Sequence, residues 1–404
     1  MESGQPPAVV GAQLRAAREA AGLSLSELAA RVPYSRAALG HYETGRRAAT
    51  PDVLTAYRSA CGPLDAVTSA EALARSDLDR RGFMRSAAYS AALAATALLP
   101  TPDHMRLSAI GDGTRTGAAD VAAVRGVTDA LLRLDEVRGG GAGRTAMTAF
   151  LSTDVCALLR SRFSDAHVRA EAFSAAAELA YAIGFSSHDV GADGAALRYF
   201  LSALRLAEES GVPGQDGFAL RIIALHAGDV GKPEHSVELA ERAVRRARGH
   251  VDVDAMVVFD VALARMYAEA GDHRAARDVL HRAEPWITPS TATELPRWLA
   301  LFCPNKASVG RQTSKAFTAL GDLNEAERYL HMSAAAWNPE THTRVRALSE
   351  IETGLLRWKL GRHEDAAKLW RTALPTVAGV DSDRTRKAVA KVRAVAPELA
   401  VSLA

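Results

Sequence analysis

Cysteine is scarce in this chain of 404 residues: Cys61, Cys156 and Cys303 stand far apart, and no Cys-x-x-Cys or Cys/His ligand spacing occurs. That supports neither a disulfide framework nor a cysteine-based zinc site, and fits reduced, partly buried thiols in a cytoplasmic protein. Aromatic residues are few, at 6%, and there is no convincing run of alternating β-branched residues, so no sheet is expected. Net charge is nearly absent as well, +2 at neutral pH, so any case for a nucleic-acid partner has to be local. A Gly-rich phosphate loop, a His-Glu-x-x-His pair and a nucleophile motif are all missing. The reading is therefore no catalytic residue, no metal site, no cofactor and no enzyme. The twelve histidines are dispersed; His273 and His363 follow helix turns, where solvated polar side chains are expected.

Long hydrophobic runs are lacking too. Arg80-Arg81-Gly82-Phe83-Met84-Arg85 precedes 17 uncharged residues, 86–102, in the manner of a twin-arginine export signal. Such signals stand at the N-terminus, and here a whole domain comes first. The run is alanine-rich and shorter than the ~20 apolar residues that span a bilayer. It reads as a helix joining two domains, with no membrane partner.

What the sequence does have is alanine and helical periodicity. Apolar residues make up 48% and charged residues 24%, an ordinary balance for a globular chain. After a loose arm at 1–8, helical patterning runs almost to the C-terminus, so the fold class is all-α. A Pro/Gly cluster at 100–117 separates the alanine-rich helix from a large C-terminal part.

That C-terminal part repeats itself. Gly191, Gly231, Gly271, Gly321 and Gly361 fall at spacings of 40, 40, 50 and 40. Five residues after each stand Ala196, Ser236, Ala276, Ala326 and Ala366. Eight after stand Tyr199, Leu239, Val279, Tyr329 and Leu369, and twelve after stand Ala203, Ala243, Ala283, Ser333 and Ala373. Small, large and small side chains at helical spacing let one helix pack closely on another. Each glycine fits a helix end that needs positive φ. Five helical hairpins are expected over about 170–380, a weaker one over 118–163, and a capping helix at about 382–395. The extra ten residues fall in the proline-bearing stretch 284–305. The pieces Ala270-Gly271-Asp272, Leu320-Gly321-Asp322 and Leu360-Gly361-Arg362, each followed by Ala276, Ala326 or Ala366, resemble tetratricopeptide repeats.

Residues 9–62 have their own pattern, five short helices. Val10, Leu14 and Ala17 make an apolar stripe on the first. Ser24-Leu25-Ser26-Glu27 is a capping box opening a second helix over 25–32. Pro33-Tyr34 makes a turn, Ser35 can cap a third helix beginning at Arg36, and Pro51 suits the first turn of a fourth. Leu14-Arg15-Ala16-Ala17-Arg18-Glu19, Glu27-Leu28-Ala29 and Tyr42-Glu43-Thr44-Gly45-Arg46-Arg47 resemble the phage-repressor-like (Cro/C1, or XRE) helix-turn-helix family over about 54 residues. The whole layout resembles large actinobacterial regulators that join such a domain to a tetratricopeptide-like region. The resulting domains are a helix-turn-helix domain at 1–70, a helical linker at 71–117 and a repeat domain at 118–404.

The resemblance implies a third helix lying in the major groove of double-stranded operator DNA, with its N-terminal residues at the base edges. Arg36 is then the candidate for a bidentate guanine contact, Ala37 for a thymine methyl, and His41 for a base or phosphate. Tyr34, Ser35, Arg46 and Arg47 suit phosphates, which position without specifying. Arg18 and Glu43 match family positions that pair across the first and third helices. One departure is Leu25, where the family often has a DNA-contacting glutamine. The local charge agrees with DNA: residues 9–62 hold seven arginines against four acids. The repeats would supply a homodimer contact and a concave surface for a peptide or small-molecule effector. Arg221, Trp298, Phe302, Asn305 and Arg311 are candidates for that groove, with core or rim as the alternative for each. The competing reading is a protein-interaction adaptor that sequesters a partner protein, with DNA binding secondary.

Overall fold

The computed structural model describes residues 7–21, 23–61, 73, 74, 77, 115–287, 295–303 and 305–397. Among these there is no strand. One isolated bridge joins Thr116 to Phe163, and the chain is all-α. The chain divides into two compact units, one of residues 1–131, 144–185 and 194–211, the other of residues 132–143, 186–193 and 212–404. The linker expected at 71–117 and the twin-arginine-like segment lie almost wholly outside the described residues.

In the first unit, four helices form the N-terminal domain: α1 (Pro7–Ala20), α2 (Leu25–Ala29), α3 (Arg36–Glu43) and α4 (Pro51–Cys61). Five were expected; the described residues of this stretch hold four. The expected capping box is present, with Glu27 N–H donating to Ser24 Oγ at 3.2 Å and Ser24 N–H to Glu27 Oε2 at 2.7 Å. The helix it opens stops at Ala29, three residues earlier than its apolar pattern suggests. Leu14, Leu23, Leu28, Leu39, Tyr42, Val53 and Tyr57 close the core, each worth about 1.5–3 kcal/mol of apolar burial.

Most residues of the next five helices belong to the same unit. These are α5 (Ala118–Arg138), α6 (Gly140–Phe150), a π-helical turn at Leu151–Val155, α7 (Cys156–Arg160), α8 (Ala166–Asp189) and α9 (Asp193–Ser210). Arg125 of α5 pairs with Glu171 and Glu178 of α8, at 2.7 and 3.3 Å. Asp77 is buried. It takes a 2.7 Å ion pair from Arg144 of α6 and a hydrogen bond from Tyr199 of α9.

The second unit continues with α10 (Gln215–Asp229), α11 (Pro233–Ala247), α12 (Val253–Glu269), α13 (His273–Ile287), α14 (Arg297–Ala300), α15 (Asn305–Ala319), α16 (Leu323–Ala336), α17 (Thr343–Lys359), α18 (His363–Thr376) and α19 (Asp383–Val395). Successive helices pack as hairpins, α10 on α11, α12 on α13, α15 on α16 and α17 on α18, with α19 covering α17. The five aligned glycines all take positive φ, between +73° and +86°. At each, the glycine N–H donates to the carbonyl three residues back and the next N–H to the carbonyl five back, as Gly271 to Ala268 and Asp272 to Tyr267 do. This pair of hydrogen bonds closes the helix end only with a left-handed residue, which is why glycine recurs.

Ala196, Ser236, Ala276, Ala326 and Ala366 have no exposed surface. The large position departs once: Leu369 is half-buried and Trp370 takes its place in the core, its indole N–H donating to Ile351 O at 3.1 Å. Gly354 makes room for it, since a Cβ there would stand 2.3 Å from Trp370 Nε1. The proline-bearing insertion yields the short α14, which follows α13 and packs on α10.

Candidate nucleic-acid interface and repeat interior

Helix α3 has two unlike faces. Leu39, Tyr42 and Glu43 are buried, at the i, i+3, i+4 spacing that faces a core. Arg36, Ala37 and His41 are exposed on the other side, and Ala37 and His41 stand one turn apart. Ser35 opens the helix, its hydroxyl accepting from Ala38 N–H at 3.2 Å. A cap of this kind fixes the first turn, where Arg36 and Ala37 lie. Among the described residues none forms an ion pair with Arg36 or Arg46, and both are exposed. Arg47, also exposed, lies over the Tyr42 ring at 5.3 Å, while half-buried Tyr34 meets Tyr42 edge to face.

The buried side of the helix is held by charge. Arg18 of α1 makes a two-pronged pair with Glu43, Nε to Oε1 at 2.7 Å and Nη2 to Oε2 at 2.8 Å, and donates to Leu23 O from its remaining nitrogen at 2.7 Å. Tyr57 of α4 donates to Glu43 Oε1 at 2.9 Å. Burial, then the Glu43 charge, pushes the Tyr57 phenol well above its ordinary range, so it stays a donor. Burial alone would pull Arg18 down; its bond and charge contact with Glu43 outweigh that and raise it. One carboxylate thus collects three helices. Close backbone contact adds to this, because a Cβ on Gly11 would stand 2.3 Å from Tyr42 O.

In the second unit, Arg221 and Trp298 belong to the core. Arg221 donates to Val258 O at 2.8 Å, and Trp298 packs on Phe218 with ring centres 5.4 Å apart. Half-buried Phe302 stacks on the same Phe218. Arg311 pairs with Glu352 at 2.7 Å. The side chain of Asn305 lies outside the described residues.

A set of charges that periodicity did not mark runs along the first helices of the hairpins. Asp229 of α10 is gripped by Arg265 of α12 and Lys315 of α15, at 2.5 and 2.9 Å. Arg344 of α17 pairs with Asp135 and Asp189, at 3.1 and 3.0 Å, and Arg384 of α19 reaches Asp189 at 3.8 Å. Burial works against the charge of Asp229, but Lys315 and Arg265 outweigh it and hold the carboxyl well below its usual range. For Glu352, burial again works against the charge, and Arg311 and Lys315 lower the carboxyl on balance.

Residues 9–70 match the family model described as a helix-turn-helix domain. The whole chain finds no match among curated proteins. The match covers α1 to α4, so the chain carries an N-terminal helix-turn-helix DNA-binding domain. Among the described residues, no helix is long and apolar enough to cross a membrane.

Proposed function

We propose that this is a sequence-specific transcriptional regulator of the Cro/C1 (XRE) type and not an enzyme, working in the cytoplasm as a homodimer on an inverted-repeat operator. The observation that carries the reading is the outward face of α3, with Arg36, Ala37 and His41 exposed beside a capped first turn. Its opposite face is fixed by the Arg18–Glu43–Tyr57 cluster. A reading helix must be held rigidly while its base-contacting groups stay free, and an anchored inner face with an exposed outer one suits that role. In the same reading the hairpins are tetratricopeptide-like. They supply the dimer contact and receive a peptide or small-molecule effector, whose occupancy biases the spacing of the two reading helices.

Selection of bound sequences from a random DNA pool by the full chain tests this. Recovery of a two-fold symmetric site is the expected result. Recovery of no preferred sequence would sink the reading and favour the adaptor that sequesters a protein partner.

A further inference from the structure

The C-terminal ends of α8 and α10 and the turn at Gly191 bring two histidines and an aspartate together. His188 Nδ1 lies 2.7 Å from Asp193 Oδ1, and His226 Nε2 lies 3.4 Å from the same oxygen. The two imidazole rings meet nearly perpendicularly, with centres 5.2 Å apart. One ligand atom from each residue falls within 4.8 Å of the others. We infer that His188, Asp193 and His226 form a binding site for a divalent transition-metal ion of the zinc class, with a fourth position open to solvent or a ligand.

The geometry fits that chemistry. A tetrahedral ion with bonds of about 2.0–2.1 Å sets its ligand atoms about 3.4 Å apart. The separations in the cluster bracket this distance, so side-chain rotation is enough to close the shell. The site is walled on one side and open on the other: His226 is buried, while His188 and Asp193 are partly exposed, which leaves an entry path. Two imidazoles with one carboxylate favour zinc, cobalt, nickel or copper over calcium or magnesium, which prefer oxygen.

The surroundings fit as well. With His188 Nδ1 on the ion, its Nε2 lies 3.9 Å from Asp229 Oδ2, within charge contact and beyond hydrogen-bond length. A carboxylate behind a ligating histidine fixes the ring and strengthens it as a ligand. Asp229 is itself held by Arg265 and Lys315, which balance its charge and leave Asp193 as the anionic ligand. The bound ion would tie the start of α9 to the end of α10 and so fix two consecutive turns. This inference stands independently of the DNA reading.

Titrating the metal-free full chain with Co²⁺ tests it. Binding of one equivalent should give the visible absorption of tetrahedral cobalt without a thiolate band, and Zn²⁺ should displace it. His188→Gln and His226→Gln should each weaken uptake at least ten-fold. His281→Gln, at an exposed histidine outside the cluster, should change nothing. Zn²⁺ should raise the melting temperature of the unaltered chain and not that of His188→Gln. Absence of the cobalt spectrum, or a spectrum that survives His188→Gln, would overturn the site. If His226→Gln fails to fold, His188, which is partly exposed, decides alone.

Discussion

Arg18 and Glu43, 25 residues apart, meet as a buried two-pronged ion pair, with both contacts under 3 Å. Removing one partner leaves the other charge buried without its counterion, at a cost of about 3–5 kcal/mol. Glu43→Ala should therefore unlock α3, and it also strands the Tyr57 hydroxyl. Tyr57→Phe removes one donor while Arg18 still holds the carboxylate, so it should cost only about 1 kcal/mol. Arg46→Ala, at an exposed side chain, should stay within about 0.5 kcal/mol. Hydrogen exchange of the α3 amides in the intact chain reads all three. Equal protection in Glu43→Ala and Arg46→Ala would count against the pair as the anchor.

Two glycines in the same domain should respond with opposite signs to alanine. In an exposed helix interior, Gly→Ala gains about 1 kcal/mol. At Gly40 the new Cβ meets only Leu25 Cδ1, at 4.0 Å, so Gly40→Ala should stabilise. At Gly11 it meets the backbone oxygens of Tyr42 and Glu43 at 2.3 and 2.9 Å, and backbone cannot swing aside. Overpacking of this kind costs about 1–3 kcal/mol and should win, so Gly11→Ala should destabilise. Chemical denaturation of each variant gives the signs; a stabilised Gly11→Ala would mean that α1 does not press on the end of α3.

The parts legible in the sequence were those with a local signal. Ser24 and Glu27 announced a capping box, and five glycines at near-equal spacing announced five helix ends, because each motif is closed by residues a few positions apart. The small residues five and twelve after each glycine were legible as contact positions for the same reason. Trp370 was not, because the room it needs is made by Gly354 on another helix. The interior charges were not legible either. Arg265 and Asp229 look like solvated residues until α10 and α12 are placed side by side. His188 and His226 look dispersed because 38 residues separate two side chains whose rings stand 5.2 Å apart. Arg221 and Trp298, candidates for a groove, lie in the core, where Phe218 and Val258 supply their partners.

The reading face can be dissected by separating specificity from affinity. Arg36→Ala should flatten base preference at one operator position, by about 1–3 kcal/mol of discrimination. Arg46→Ala should weaken binding to all sequences alike and reduce the salt slope by about one unit. Competition binding against single-base operator variants at several salt concentrations measures both. If Arg36→Ala kept the full base preference, α3 would not be seated in the groove as proposed.

Lys315 should be an unusually reactive amine. Burial, then the nearby Arg265 charge, pulls its pKa down to about 8, although Asp229 pulls the other way. Its side chain remains partly exposed, so a reagent can reach it. Lys387 is the contrast, raised by its bond to Asp383. Acylation of the folded chain, followed by peptide mass spectrometry, should show Lys315 labelling half-maximally near pH 8, well before Lys387. Labelling of both lysines with the same pH profile would refute the depressed value.

Asp135 contributes to stability with a defined sign. It accepts a 2.6 Å hydrogen bond from Ser186 and pairs with Arg344 at 3.1 Å, yet it lies almost fully out of water. Burial wins over both partners and raises its carboxyl to about 6. The unfolded chain releases the same proton near ~4, so between these values the folded state binds more protons than the unfolded one. Stability from this group is therefore fully present below about pH 4 and is lost as pH rises through 6. The gap between the folded and unfolded values is worth about 3 kcal/mol. Asp229 and Glu352, whose carboxyls are held low, act in the opposite direction and lose their contribution in acid. They are shared by the unaltered chain and Asp135→Asn, so they cancel when the two are compared. Asp135→Asn does not titrate. The stability of the unaltered chain relative to this variant should consequently fall by up to about 3 kcal/mol between pH 4 and 7 and be flat above. Urea denaturation of both proteins at four pH values across that window measures the difference. A difference that does not change with pH would mean that Asp135 is ionised throughout, with Arg344 and Ser186 outweighing its burial.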